Sequence, residues 1–160
     1  MSATPITASD RYYRQGVSKC IWVPTIATLA SPTRSEINAG TDLSDEISAV
    51  SGWEVTGNTE DAPALGSVFI GKVSSTTTAG DSSLTFYADS TSTDVRTLLA
   101  RGSSGFIVWA WEGDVAGQLA DVFPVKVTSV PKQTDVSSVA QLMVNFAITR
   151  EPAENVDIPA

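Results

Sequence analysis

The run FIVWAW, residues 106–111, is apolar on both of its faces. A strand sends successive side chains to opposite sides, so a strand of this composition needs two covers, and a chain that contains it folds in layers. The residues before it suggest one cover. In SLTFYADSTSTDVRTLLARGSSG, residues 83–105, Leu84, Phe86 and Ala88 share one strand face while Thr85 and Tyr87 share the other. Val95, Leu98 and Leu99 then follow at i, i+3 and i+4, the spacing of a short helix with one apolar stripe. Thr93 is placed to cap that helix and Gly102 to close it. The expected arrangement is a central strand carrying Trp109, held between an opposing sheet and the helix over 93–101.

The rest of the chain reads mostly as strands. VAQLMVNFAITR, 139–150, alternates cleanly: Leu142, Val144, Phe146 and Ile148 face one way, and Gln141, Met143, Asn145 and Thr149 the other. DVFPVKVTSV, 121–130, is a second long strand, and CIWVPTIATL, 20–29, a third with a bulge or edge position at Pro24. Between them, Thr33 and Glu36 have the spacing of a capping box, and Gly40 that of a helix stop. Ser51-Gly52 carries turn chemistry between two short strand-like runs. Residues 56–82 form a long Gly/Ser/Thr-rich stretch with one apolar patch, Val68-Phe69-Ile70. It reads as an extended loop or protruding hairpin that carries a contact, the alternative being a surface loop with Phe69 tucked onto its own body. Ser74, Thr76 and Thr78 in its threonine-rich run favour an extended arm. The segment 1–16 is a polar arm, and 151–160 an extended tail on the surface. Together these make one domain over 1–160: mainly β, an antiparallel sandwich or barrel with one short helix packed on it.

Chemistry is scarce. The chain has no histidine, which removes Ser-His-Asp and Cys-His nucleophile systems and the usual zinc sites. Its single cysteine, Cys20, lies in an apolar run and reads as a buried thiol. Neither GxGxxG nor a P-loop is present. The words SVPK, Ser129 to Lys132, match the serine acyl-enzyme pattern, but that chemistry needs one helix face, and Pro131 with a strand context denies it. TDLSDE and TED lack calcium-loop spacing and read as solvated acids. A carboxylate pair drawn from distant strands is the enzymatic alternative left open. The expectation is a non-enzyme without cofactor or metal. Lys and Arg number 10 against 18 Asp and Glu, a net charge of −8, so the field that drives nonspecific phosphate binding is missing. Neither a targeting segment nor a run near the ~18 residues of a membrane span is legible, so a soluble protein is expected.

The strings RYYRQGVSKC, PTRSEINAGTDL, SGWEV, DSSLTFYADS, DVRTLLARG, GDVAG, DVFPVKVTSV and FAITREPAENVDIPA, in that order, resemble the major tail tube proteins of long-tailed bacteriophages, particularly those infecting actinobacteria. The resemblance runs from about residue 11 to the C-terminus, and AITREPAENVDIPA is its most specific part. It implies a subunit of hexameric rings stacked into a hollow tube, with a sheet from each copy joining its neighbours to line the channel. The implied partners are further copies of the chain, the tail tip, the tail terminator and the tape-measure protein. DNA would pass without specific binding, and no membrane is involved. The implied location is the virion tail, assembled in the host cytoplasm. On this reading Gln141, Met143, Asn145 and Thr149 face the lumen. Val68, Phe69, Ile70, Ser74, Thr76 and Thr78 stack rings. Leu84, Phe86, Val95, Leu98, Leu99, Trp109, Leu142, Val144, Phe146 and Ile148 fill the core. An Ig-like or decoration module of a virion surface, or the tube of a contractile secretion system, would share much of this pattern.

Overall fold

The computed structural model describes residues 3–160. In chain order its strands are β1 (Lys19–Val23), β2 (Thr41–Asp42), β3 (Ile47–Ser51), β4 (Val55–Ala62), β5 (Gly71–Ala79), β6 (Ser82–Tyr87), β7 (Ser104–Ala110), β8 (Leu119–Ser129), β9 (Lys132–Gln133), β10 (Gln141–Ile148) and β11 (Ala153–Asp157). Two short helices accompany them, α1 (Arg34–Asn38) and α2 (Asp94–Leu98). All pairings are antiparallel. The main sheet runs β2-β1-β7-β8-β10-β6-β3, with β11 alongside β8 and β9 alongside β10, while β4 and β5 form a separate ribbon.

This sheet curls strongly. Trp53, just past β3, and Trp109 on β7 sit four strand spacings apart in the pairing order, which a flat sheet would hold at about 19 Å. Their ring centroids are 5.9 Å apart, edge to face. Trp53 also meets Phe123 and Phe146, each at 5.4 Å. Wrapped inside are Leu84, Phe86, Leu99, Trp109, Leu142, Val144 and Phe146, all buried, with Val95, Leu98 and Ile148 half-buried at the margin. The alternation of 139–150 therefore becomes a strand whose even-numbered side chains line the core. Reaching that core requires a left-handed kink after β3: Gly52 has φ +81° and Trp53 φ +68°. A Cβ on Gly52 would lie 2.7 Å from the carbonyl oxygen of Asp81, so the turn admits only glycine there.

FIVWAW has its two covers, though not the expected pair. Ile107 and Trp109 face the wrapped core, while Phe106, Val108 and Ala110 face a second cluster on the outside of the sheet. That second cover consists of Ile37 from α1, Ile26 and Leu29 from the segment after β1, and Val156 and Ile158 from the C-terminal tail. The helix over 93–101 packs on the wrapped core through Leu99 instead. A second copy is not needed to bury these faces. The tail is extended, as the sequence suggests, but it is a strand built into the sheet beside β8, with Val156 and Ile158 buried.

Other local readings divide in the same way. Thr33 and Glu36 form both halves of a capping box on α1. Gly40 does not stop that helix, whose last residue is followed by Ala39 in right-handed conformation. Its role is close approach: a Cβ there would sit 2.7 Å from the Trp22 carbonyl oxygen. Thr93 makes no side-chain cap on α2, because its backbone (φ −120°, ψ 19°) lies outside the extended conformation that capping needs. Pro24 follows the end of β1 and does not bulge it. The runs on either side of Ser51-Gly52 belong to different sheets, so the turn there joins the main sheet to the ribbon.

Candidate functional site

Nucleophilic chemistry finds no support at the one thiol. Cys20 is 1% exposed, and burial pushes its pKa far above the ordinary thiol range. What the molecule offers instead are surfaces.

The first is the outer face of β10, β6 and β3. Side chains directly opposite in antiparallel strands share a face. Gln141 thus lies beside Tyr87, Met143 beside Thr85 and Asn145 beside Ser83, with Ala49 and Ser51 of β3 beyond. Ala147 adjoins Lys126 of β8. Gln141 donates to Ser48 Oγ at 3.1 Å and Asn145 to Ser129 Oγ at 2.8 Å, which ties the strands together through neutral groups. Thr149 stands past the end of β10, exposed, with its N–H donating to the Pro124 carbonyl. This face carries a lysine and none of the chain's carboxylates among the residues just named. The acids behind the net charge of −8 are therefore not among these residues, and the face is uncharged apart from Lys126.

The second surface is the ribbon β4–β5, which corresponds to the long stretch 56–82. It is a hairpin, and almost every residue of it is exposed. Thr56 and Thr78 pair across it, Asn58 donates to Thr76 Oγ1, and Lys72 bridges Asp61 at 2.5 Å. Its tip carries Leu65, Val68, Phe69 and Ile70, and Phe69 is 78% exposed, so it is not tucked onto the body. Apolar side chains clustered in this way on a free tip mark an interaction surface. Ser74, Thr76 and Thr78 lie along β5, nearer the body than the apolar tip.

The third is an open seam in the curled sheet, which sequence reasoning missed. Its groove, about 610 Å³, runs between the Arg14–Cys20 segment and β3 and is walled by Val50, Ile47, Trp109 and Trp111. Trp111 stacks flat on Trp109 at 4.8 Å and donates to Asp121 at 2.6 Å. Arg14 covers the other side of Trp111, 4.3 Å from its ring centroid, a cation–π contact. The N-terminal arm is fixed beside it by Tyr12, whose hydroxyl donates to Glu112 at 2.9 Å. The sequence did contain a signal: the spacing of Trp109 and Trp111 puts two indoles on one strand face, more than a core needs at a strand end.

Against known proteins, a model of the phage tail tube protein family matches residues 6–160. No curated protein matches in sequence. Among solved structures the fold is similar to that of a chain in the 6-fold symmetrised baseplate of the anti-feeding prophage, with a TM-score of 0.56 at 10% identity over 94% of this chain and 95% of that one. It is also similar to the SPP1 tail tube, with a TM-score of 0.53 at 10% identity over 89% and 79%.

Proposed function

The chain belongs to the phage tail tube protein family, and from that premise we propose that it is the repeating subunit of hexameric rings that stack into the channel for the genome. It is a structural subunit of the phage tail tube. In the finer reading its work is architectural and not catalytic, in the virion tail, after assembly in the host cytoplasm. Six copies per ring is supported by the symmetry of the assembly that holds a chain of similar fold.

One observation carries the reading: the outer face of β10, β6 and β3 has no carboxylate among the residues paired across it and is bounded by a free strand edge. β3 pairs with β6 on one side and with no strand on the other among the described residues. Such an edge is a template for another chain, and copies joined through it extend the sheet around a ring. Gln141, Met143, Asn145 and Thr149 then face the lumen. DNA slides there because the face is mostly hydroxyl and amide groups, with Lys126 the one cation among the residues named, and so offers little to hold a phosphate. On this reading the acidic residues lie outside the lining.

The hairpin supplies the axial contact, with Val68, Phe69 and Ile70 at its tip and Ser74, Thr76 and Thr78 along its flank. A lone two-stranded ribbon is marginally stable in water, so a partner surface is expected for it. The tail tip, the terminator and the tape-measure protein are the further partners, at the tube's two ends and in its channel. Negative-stain imaging of purified protein, with and without a tail-tip complex as seed, tests the reading. Rings or tubes are expected. A strictly monomeric protein at high concentration with the seed supplied would count decisively against it.

A further inference from the structure

The seam is an unusual place for apolar side chains to remain exposed. Ile47 and Val50 stand opposite Phe86 and Leu84 in the β3–β6 register, on the side of the sheet that faces the core. Phe86 and Leu84 are fully buried, yet Val50 is 47% exposed and Ile47 only half-buried. Across the groove Trp109 and Trp111 form a stacked aromatic wall, and the Trp109 indole N–H is buried without a hydrogen-bond partner. Arg14 is the charged residue of the lining.

We propose that this groove seats the hairpin tip of a second copy of the chain, with Phe69 and its neighbours entering between Val50 and Trp111. The chain's own hairpin does not occupy it, since Leu65, Val68, Phe69 and Ile70 are all exposed. An aromatic-walled groove and an aromatic anchor are the pairing on which interface energy concentrates. Charge agrees as well. Asp61 is paired with Lys72 on the ribbon, whereas Glu60 makes no ion pair among the described residues and complements Arg14 at the groove mouth. The tip meets the core-side chains Ile47 and Val50 of β3, and the backbone edge of that strand is left to the ring neighbour; donor tip and seat are different surfaces, so the contact is head-to-tail and repeats from copy to copy. The proposal rests on the axial reading of the hairpin and names the site that receives it.

Both contact positions are exposed enough to change without unfolding the chain. Val50→Cys and Phe69→Cys are made separately in a Cys20→Ala background, since Cys20 is buried but belongs to the groove lining, then mixed under assembling conditions and mildly oxidised. A disulfide-linked dimer is expected in the mixture and in neither variant alone. As a second readout, Val50→Glu places a charge in the groove wall. It should leave the monomer's melting unchanged while raising the concentration needed for assembly by about tenfold or more. Normal tubes without the cross-link, a Phe69→Cys variant that links to itself, or unimpaired assembly of Val50→Glu would each overturn the seat. Deletion of 63–70 separates the two ideas. If tubes require the tip but the cross-link fails, the seat is wrong and the axial reading stands. If tubes of normal length form without the tip, both fall.

Discussion

β10 and β5 are both extended strands, of 8 and 9 residues, each with an antiparallel neighbour, and they differ in almost everything else. Between β8 and β6, β10 alternates half-buried and buried positions, with Leu142, Val144 and Phe146 inside. β5 pairs with β4 alone, and its residues are nearly all exposed. Backbone pairing is thus common to both, and burial separates them. Net hydrogen-bond gain in water is modest, so a strand draws most of its stability from the apolar area it covers. The body is complete within one chain, and the ribbon has a fold but no core.

The comparison breaks most easily at phenylalanine. Phe146→Ala should lower stability by about 3–5 kcal/mol in denaturant unfolding. Phe69→Ala should leave it within about 0.5 kcal/mol while impairing tube formation. Equal losses in the two variants would erase the distinction. Next in size is the tail: Ile158→Ala should cost about 2–3 kcal/mol, since Ile158 helps cover FIVWAW and is 3% exposed. A surface tail would not register the change. Gly52→Ala tests the hinge between the two regions and should destabilise by about 1–2 kcal/mol, through its left-handed backbone and the carbonyl that the new methyl meets.

The smallest effect concerns acid. The Glu36 carboxylate accepts from the N–H groups of Thr33 and Ala27 and from the Thr33 hydroxyl, and these bonds hold its pKa below the ordinary glutamate range. A folded pKa below the unfolded one means stability that is present above the unfolded pKa of about 4.3. It is lost as pH falls through the depressed folded value. Melting curves of the parent and Glu36→Gln should therefore differ at neutral pH and converge as the pH drops through the acid range. A difference that grows on acidification would show that the carboxylate is not the group responsible.

How much of this was legible depended on whether the cause was local. The period of two in 142–148 and the Thr33–Glu36 box are local patterns, and each became the element it suggested. The length and composition of 56–82 likewise pointed to an arm held away from the body. The cover of FIVWAW was not readable, because a helix stripe such as Val95, Leu98 and Leu99 says that a face is buried and not against what. EPAENVDIPA looked like surface, since Pro152, Pro159 and its acids speak against a strand. Its pairing with β8, where Val156 stands opposite Ala120, is what buries Val156. Trp53 was hidden for a similar reason: only the kink at Gly52 turns it into the core. The groove at Trp109 and Trp111 exists because the sheet curls, which no single segment encodes.

Amide hydrogen exchange across the two regions, in the monomer and again in assembled tubes, tests most directly that the body is finished in one chain and the ribbon between chains. In the monomer, amides of β10 should be strongly protected and those of β4 and β5 weakly so. On assembly the ribbon's amides, and those of β3 facing the seam, should slow sharply while those of β10 change little. A ribbon already as protected as β10 in the monomer, or one that still exchanges freely within intact tubes, would contradict the account.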